Sequence, residues 1–228
     1  MVASSAIPRV RPTPPKISCV VPAYNEAAHI AEFLRDLKAT LEAITRRYEI
    51  IVVNDGSRDT TEQAVAAVME ECGVRYLGFS RNFGKEAALS AGIEHASGDA
   101  VILLDGDYQH PLSLLPEMVN LWQGGYDMVY GVIASRGHES ALKRIGSGFF
   151  YRVMAAGSTI HIPRNAGDFR LLDRRVVEAL RRLPERNRFM KGLYAWVGFK
   201  SVALPFTPLE RASGVSSVSA GPSCTISP

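Results

Sequence analysis

Cysteine is scarce in this 228-residue chain: Cys19, Cys72 and Cys224 lie far apart and none belongs to a C-x-x-C pair. That spacing argues against a disulfide framework or a cysteine zinc site and fits a reducing compartment. Long apolar runs are missing too. No stretch approaches the roughly 18 residues needed to cross a bilayer, and the N-terminus lacks the apolar core of a signal peptide. The chain is therefore expected to be soluble or peripheral to a membrane. The first strand-to-helix turn has no glycine-rich dinucleotide fingerprint, which argues against a nicotinamide enzyme, and no P-loop lysine motif occurs. No internal repeat is evident, and nucleic acid is not expected as a partner.

What is present suffices for a sizeable core: 46% of residues are hydrophobic and 21% charged, ordinary for one globular domain. The organising stretch is residues 100–111, AVILLDGDYQHP. Val101, Ile102, Leu103 and Leu104 form a run too short for a buried helix and suited to a central parallel strand. It ends in Asp105-Gly106-Asp107, so two carboxylates emerge where the strand stops, with a glycine that permits close approach. In open α/β sheets ligands bind beyond the carboxyl ends of the strands. Paired acidic groups there, with Gln109 and His110 behind, suit a hard divalent cation gripping phosphate oxygens; a polar Asp-Gly turn is the plainer reading.

Residues 1–16 contain four prolines and read as a flexible lead-in. Strands are expected over 17–21, 48–53 and 74–79, and helices over 27–46, from Asp59 or Thr60 to about 72, and over 86–96. The first helix carries Ile30, Phe33, Leu34, Leu37, Leu41 and Ile44 on one face. Strands alternating with helices indicate an α/β fold: a doubly wound, mostly parallel sheet with right-handed crossovers. Three polar loops, 23–26, 54–57 and 105–109, should open on one sheet edge and form a crevice. Further on, a helix over 114–123, a strand over 126–132, a basic helix from Asp173 to about 183 and a last strand over 201–205 are expected. Gly167-Asp168-Phe169-Arg170 is read as following a loop.

The net charge of +3 hides an asymmetry, with thirteen Lys/Arg against five Asp/Glu between Arg136 and Lys191. This later region faces something anionic. Residues 140–156 read as a helix with Leu142, Ile145, Phe149, Val153 and Met154 on one face, flanked by Lys143 and Arg152. Such a helix either packs on the core or a second copy, or lies at a membrane surface.

Five motifs occur in order: Pro22-Ala23-Tyr24-Asn25-Glu26, Asn54-Asp55-Gly56-Ser57, Arg81-Asn82-Phe83-Gly84-Lys85, Asp105 to Pro111, and Gly167-Asp168-Phe169-Arg170. Together they closely resemble the family 2 inverting nucleotide-sugar glycosyltransferases of the polyprenyl-phosphate sugar synthase type, over about residues 17–205. The resemblance implies a GT-A fold with a nucleotide-binding half and an acceptor half. It implies that Pro22, Tyr24 and Glu26 line the nucleotide pocket and that Asp55 holds the base or ribose. Asp105 lies near ribose and sugar, and Asp107 with Gln109 holds Mg²⁺ or Mn²⁺ on the diphosphate. Arg170 and Lys85 are candidates for phosphate contact, and Arg211 belongs to a segment that closes over phosphates. Asp168 is assigned to holding Arg170 and shaping the acceptor loop. His110 is read as a turn residue, and Asn25 and Asn54 as loop-shaping.

The implied reaction is inverting transfer of a hexose from a UDP-glucose-like or GDP-mannose-like donor to polyprenyl phosphate, at the cytoplasmic face of a membrane. A lipid monophosphate is largely a dianion at neutral pH, so it needs positioning and cations; a hydroxyl acceptor, the alternative, needs a general base. A truncated nucleotide-binding pseudoenzyme is a third reading. The sequence after Val218 has small residues without periodicity, so 206–228 is expected to be an incomplete tail whose membrane anchor has been lost, unless the enzyme is naturally short. Assembly into homo-oligomers is left open.

Overall fold

The computed structural model describes residues 10–134, 166–183 and 189–208. The expected helix over 140–156, the segment around Arg211 and nearly all of 206–228 lie outside them. Seven strands form one mixed sheet: β1 (Ile17–Ala23), β2 (Tyr48–Asn54), β3 (Val74–Gly78), β4 (Ala100–Leu103), β5 (Met128–Ile133), β6 (Ala166–Asp173) and β7 (Ser201–Phe206). Their order is β3-β2-β1-β4-β6-β5-β7. The first four strands pair in parallel, as the apolar centres of β1, β2 and β4 predict for strands buried on both faces, while β3 is an edge strand with Arg75 exposed. β4 is fully buried.

Helices cover both faces. On one side α1 (Ile30–Ile44) buries Ile30, Phe33, Leu34, Leu37 and Leu41, each worth about 1.5–3 kcal/mol relative to exposure. α2 (Thr61–Ala66), α3 (Met69–Cys72) and α5 (Leu115–Gln123) complete that layer. α4 (Lys85–His95), α6 (Arg174–Arg181) and α7 (Met190–Trp196) cover the other side. α4 lies close on the sheet because Gly92 has no side chain; a Cβ there would stand 2.1 Å from a Val20 methyl.

Two details depart from the sequence reading. The single helix expected to reach residue 72 is split, because Val68 leaves helical geometry (φ −117°, ψ 3°) and is buried in the same layer as Val65. Its start is held by Asp59, whose carboxylate accepts the Thr61 N–H at 3.0 Å, while Thr60 makes no side-chain cap. Part of the expected flexible lead-in is tied down: Arg11 pairs with Asp127 and Asp173 at 3.3 and 3.4 Å and stacks over Trp122.

The largest departure is β6. Residues 166–173 form a strand inserted antiparallel between β4 and β5. Its alternation is hidden in the sequence because one face carries Asp168 and Arg170 where apolar residues are expected, while Phe169 and Leu171 fill the other. The register sets Leu103 opposite Arg170; continued by two residues, it brings Asp168 beside Asp105. A strand running the other way thus delivers its N-terminal residues to the edge where the parallel strands deliver their C-termini.

Candidate active site

The loops leaving β1, β2 and β4 and the loop before α4 open on one cleft of about 390 Å³. Pro22, Ala23, Tyr24 and Glu26 line it from β1, Asp55 from β2, Asn82, Gly84 and Lys85 from the loop before α4, and Asp105, Gly106 and Asp107 from β4. The crevice expected from the sequence is therefore present. Of the residues singled out there, Gln109, Asp168 and Arg170 are not among those lining it, and Arg211 lies outside the described residues.

Local hydrogen bonds lock these loops together. Asn25 adopts a left-handed conformation (φ 55°), a cost that Asn tolerates better than most residues. Its carboxamide oxygen accepts the Arg58 N–H at 2.9 Å and its own N–H donates to the Ser57 hydroxyl at 3.0 Å. Asn54 accepts the Ser57 N–H at 2.9 Å, so both asparagines shape loops as expected. Gly56 is left-handed (φ +64°), and a Cβ on it would lie 2.3 Å from the Arg81 backbone; no other residue fits there without moving the chain. Asp55, 3% exposed, accepts the amide N–H groups of Phe83 at 2.7 Å and Gly84 at 2.9 Å. It thereby anchors the loop before α4 as well as lining the cleft.

Beyond β4 the chain turns sharply. Asp107 accepts the Gln109 backbone N–H at 3.0 Å, and Tyr108 is left-handed (φ 60°). A non-glycine residue there costs about 1–3 kcal/mol. The Tyr108 ring meets Phe33 edge-on at 5.3 Å and its hydroxyl donates to Asp36 at 2.7 Å, which holds the strained turn and so aims Asp107. His110 is not a simple turn residue: its ring stacks on Phe169 at 4.8 Å and Nδ1 accepts the Asp105 N–H at 3.4 Å. Burial pushes the imidazole pKa below its ordinary value, against the pull of Asp105.

One ligand atom each from Asp105, Asp107 and His110 falls within 4.8 Å of the others. Two hard carboxylate oxygens and an imidazole form a donor set that fits Mg²⁺ or Mn²⁺, the imidazole favouring the transition metal. The sequence reading pointed to Asp107 with Gln109; His110 is a further donor within reach of the two carboxylates. The signal available in the sequence was its place three residues beyond Asp107.

Lys85 spans the cleft's end. Its ammonium lies 2.7 Å and 2.8 Å from the two Asp105 oxygens and 3.1 Å from Asp168 Oδ2. Desolvation works against its charge, but Asp105 and Asp168 outweigh it and the pKa stands above the ordinary lysine value. The pairing expected between Asp168 and Arg170 is replaced by this one: the two side chains are not within ion-pair distance. Arg170 is 4% exposed. Its guanidinium lies between Tyr194 at 4.2 Å and Tyr130 at 5.5 Å and donates to the Gly167 carbonyl at 3.2 Å. Burial lowers its pKa, with Tyr194 and Asp168 opposing. Nothing in the sequence pairs Tyr194 with Arg170, since α7 and β6 meet only in three dimensions.

The chain matches the model of Glycosyl transferase family 2 over residues 18–181. An uncharacterized glycosyltransferase of Synechocystis, sll0501, is 44% identical over 200 residues, covering 87% of this chain and 63% of the relative. The bactoprenol glucosyl transferase of Shigella phage SfV is 44% identical over 202 residues, 88% of this chain and 66% of the relative. The chain thus spans just under two thirds of the length of these curated relatives. Among solved structures, the Pyrobaculum calidifontis mannosyltransferase PcManGT, in complex with GDP-Man and Mn²⁺, superposes with a TM-score of 0.60 at 22% identity. That match covers 87% of this chain and 57% of the other. Glucosyl-3-phosphoglycerate synthase from Mycobacterium tuberculosis, with Mn²⁺ and UDP-glucose, gives 0.59 at 21% identity over 89% of this chain and 74% of the other. Family model, relatives and sheet agree: this chain, built on a GT-A fold, belongs to glycosyl transferase family 2.

Proposed function

We propose that the protein transfers a hexose from a nucleotide sugar to a polyprenyl phosphate such as bactoprenol phosphate, at the cytoplasmic face of a membrane, with inversion at the anomeric carbon. The observation that carries this reading is the single cleft in which the four donor-side motif loops meet the Asp105, Asp107 and His110 cluster. Pro22, Tyr24, Glu26 and Asp55 are the proposed walls for the nucleoside. Asp107 and His110, with Asp105, are the proposed holders of Mg²⁺ or Mn²⁺. A divalent cation held there would neutralise charge growing on the leaving diphosphate without proton transfer.

In the proposed step, an acceptor phosphate oxygen attacks the anomeric carbon in line as the bond to the diphosphate breaks, its electron pair leaving with the diphosphate. The acceptor is already a nucleophilic dianion, so the protein's task is positioning. Arg170 serves that phosphate rather than the donor, because it is not among the residues lining the nucleotide cleft. The other acceptor class, a hydroxyl, has one observation in its favour: Asp168 Oδ1 is buried without a hydrogen-bond partner, where a base could accept a proton.

The test is transfer from UDP-glucose and GDP-mannose, with Mn²⁺ or Mg²⁺, to undecaprenyl phosphate and to its dephosphorylated alcohol. Transfer to the phosphate alone, with inverted configuration, is expected. Asp107→Ala should lower it at least about 100-fold while leaving the unfolding midpoint near that of the parent. Product from the alcohol alone, or a retained configuration, overturns the reading.

A further inference from the structure

The Lys85 ammonium occupies both oxygens of one member of the candidate metal cluster and also touches Asp168. Asp105 lies just beyond the end of β4 and Asp168 in the antiparallel β6, so this one side chain from the start of α4 ties the two together at the cleft's end. Two carboxylates, Asp105 and Asp168, meet the Lys85 ammonium there, and Asp105 also belongs to the cluster with Asp107 and His110. Lys85 is 41% exposed, so it can swing out without unpacking the core.

We propose that Lys85 is a built-in counter-ion that couples the binding of metal and nucleoside diphosphate, a role that rests on the donor site proposed above. A metal ion arriving alone must displace the ammonium from Asp105, and the displaced ammonium then keeps only Asp168 of its two carboxylate partners. When a diphosphate arrives as well, its oxygens supply a new partner for the ammonium. Metal and nucleotide each make room for the other, which is a coupling free energy between two ligands and is reciprocal. Lys85 acts here as a positioning residue: it sets when Asp105 is free to serve.

The experiment measures binding of MnCl₂ to the full chain by the electron paramagnetic resonance of the free aquo ion, without nucleotide and with saturating UDP or GDP. Lys85→Met removes a unit positive charge beside the metal site, and Mn²⁺ alone should bind about tenfold more tightly. The further tightening caused by the nucleotide should shrink relative to the parent, whereas Lys85→Arg should restore much of the parent's coupling. Lys85→Gln, read in the same way, guards against a Met variant that fails to fold. Unchanged or weaker Mn²⁺ binding in the neutral variants overturns the role given to Lys85. If no variant binds UDP or GDP in the presence of Mn²⁺, the donor site is wrong instead, and the comparison with Mn²⁺ alone still judges Lys85.

Discussion

The two halves of the sheet handle charge in opposite ways. In β1, β2 and β4 the strand centres are apolar, and the polar residues of the cleft wait in the loops beyond their ends, where Asp55 and Asp107 line it. In β6 the charge is inside the strand: Asp168 and Arg170 sit within it, and Arg170 is buried against two tyrosine rings. The first arrangement separates stability from binding, since the core would survive loss of the loop residues. The second merges them, because a buried guanidinium must be stabilised by the packing it helps to form.

Replacing Arg170 gives the sharpest way to break this contrast. Arg170→Leu should lower transfer to undecaprenyl phosphate about 100-fold through loss of a charge-assisted phosphate contact, yet leave UDP affinity in the presence of Mn²⁺ within about twofold. Initial rates at varied acceptor, set beside a nucleotide titration, check this; an equal loss of UDP affinity would mean that the halves do not divide the work. On the donor side the sensitive points are backbone ones. Gly56→Ala forces a Cβ against the Arg81 backbone in a left-handed conformation, and we expect a stability loss of about 2 kcal/mol by urea unfolding. A loss that small in the donor half, with UDP affinity falling as well, would tie its loops to both functions.

The smallest effect lies at the opposite edge of the sheet. Burial disfavours the Glu49 carboxylate, but hydrogen bonds from Ser18 and from the Ser97 amide and hydroxyl outweigh it and hold its pKa below the ordinary glutamate value. A depressed folded-state pKa gives stability that is present above the unfolded value and lost as pH falls through the folded one. Glu49→Gln should therefore flatten the acid-side decline in unfolding midpoint between about pH 5 and pH 3 and change little of donor binding at neutral pH.

How much of this was legible in the chain follows the same division. β1, β2 and β4 could be read to within about two residues because continuous apolar runs leave a buried parallel strand no competitor. The convergence of their loops followed from topology alone. β6 escaped because its polar positions look like a loop until one knows that Lys85 and Tyr194 stand opposite them. His110 escaped for a related reason: a histidine before a proline suggests a turn, and only the Phe169 ring beneath it shows the imidazole to be packed and aimed. Arg11, in a proline-rich lead-in, has no local pattern announcing Asp127 and Asp173.

Composition and order thus determined the α/β class, the cleft at the strand ends and the glycosyltransferase motifs, because each depends on neighbours close in sequence or on the rule that parallel strands end together. Tertiary structure alone decided that an antiparallel strand enters the sheet, that Lys85 rather than Arg170 partners Asp168, and that His110 joins the carboxylates. Lys85 meets Asp105 and Asp168 across 20 and more than 80 positions, and His110, though near the carboxylates in sequence, is set by the Phe169 ring of β6; no local periodicity carries either contact.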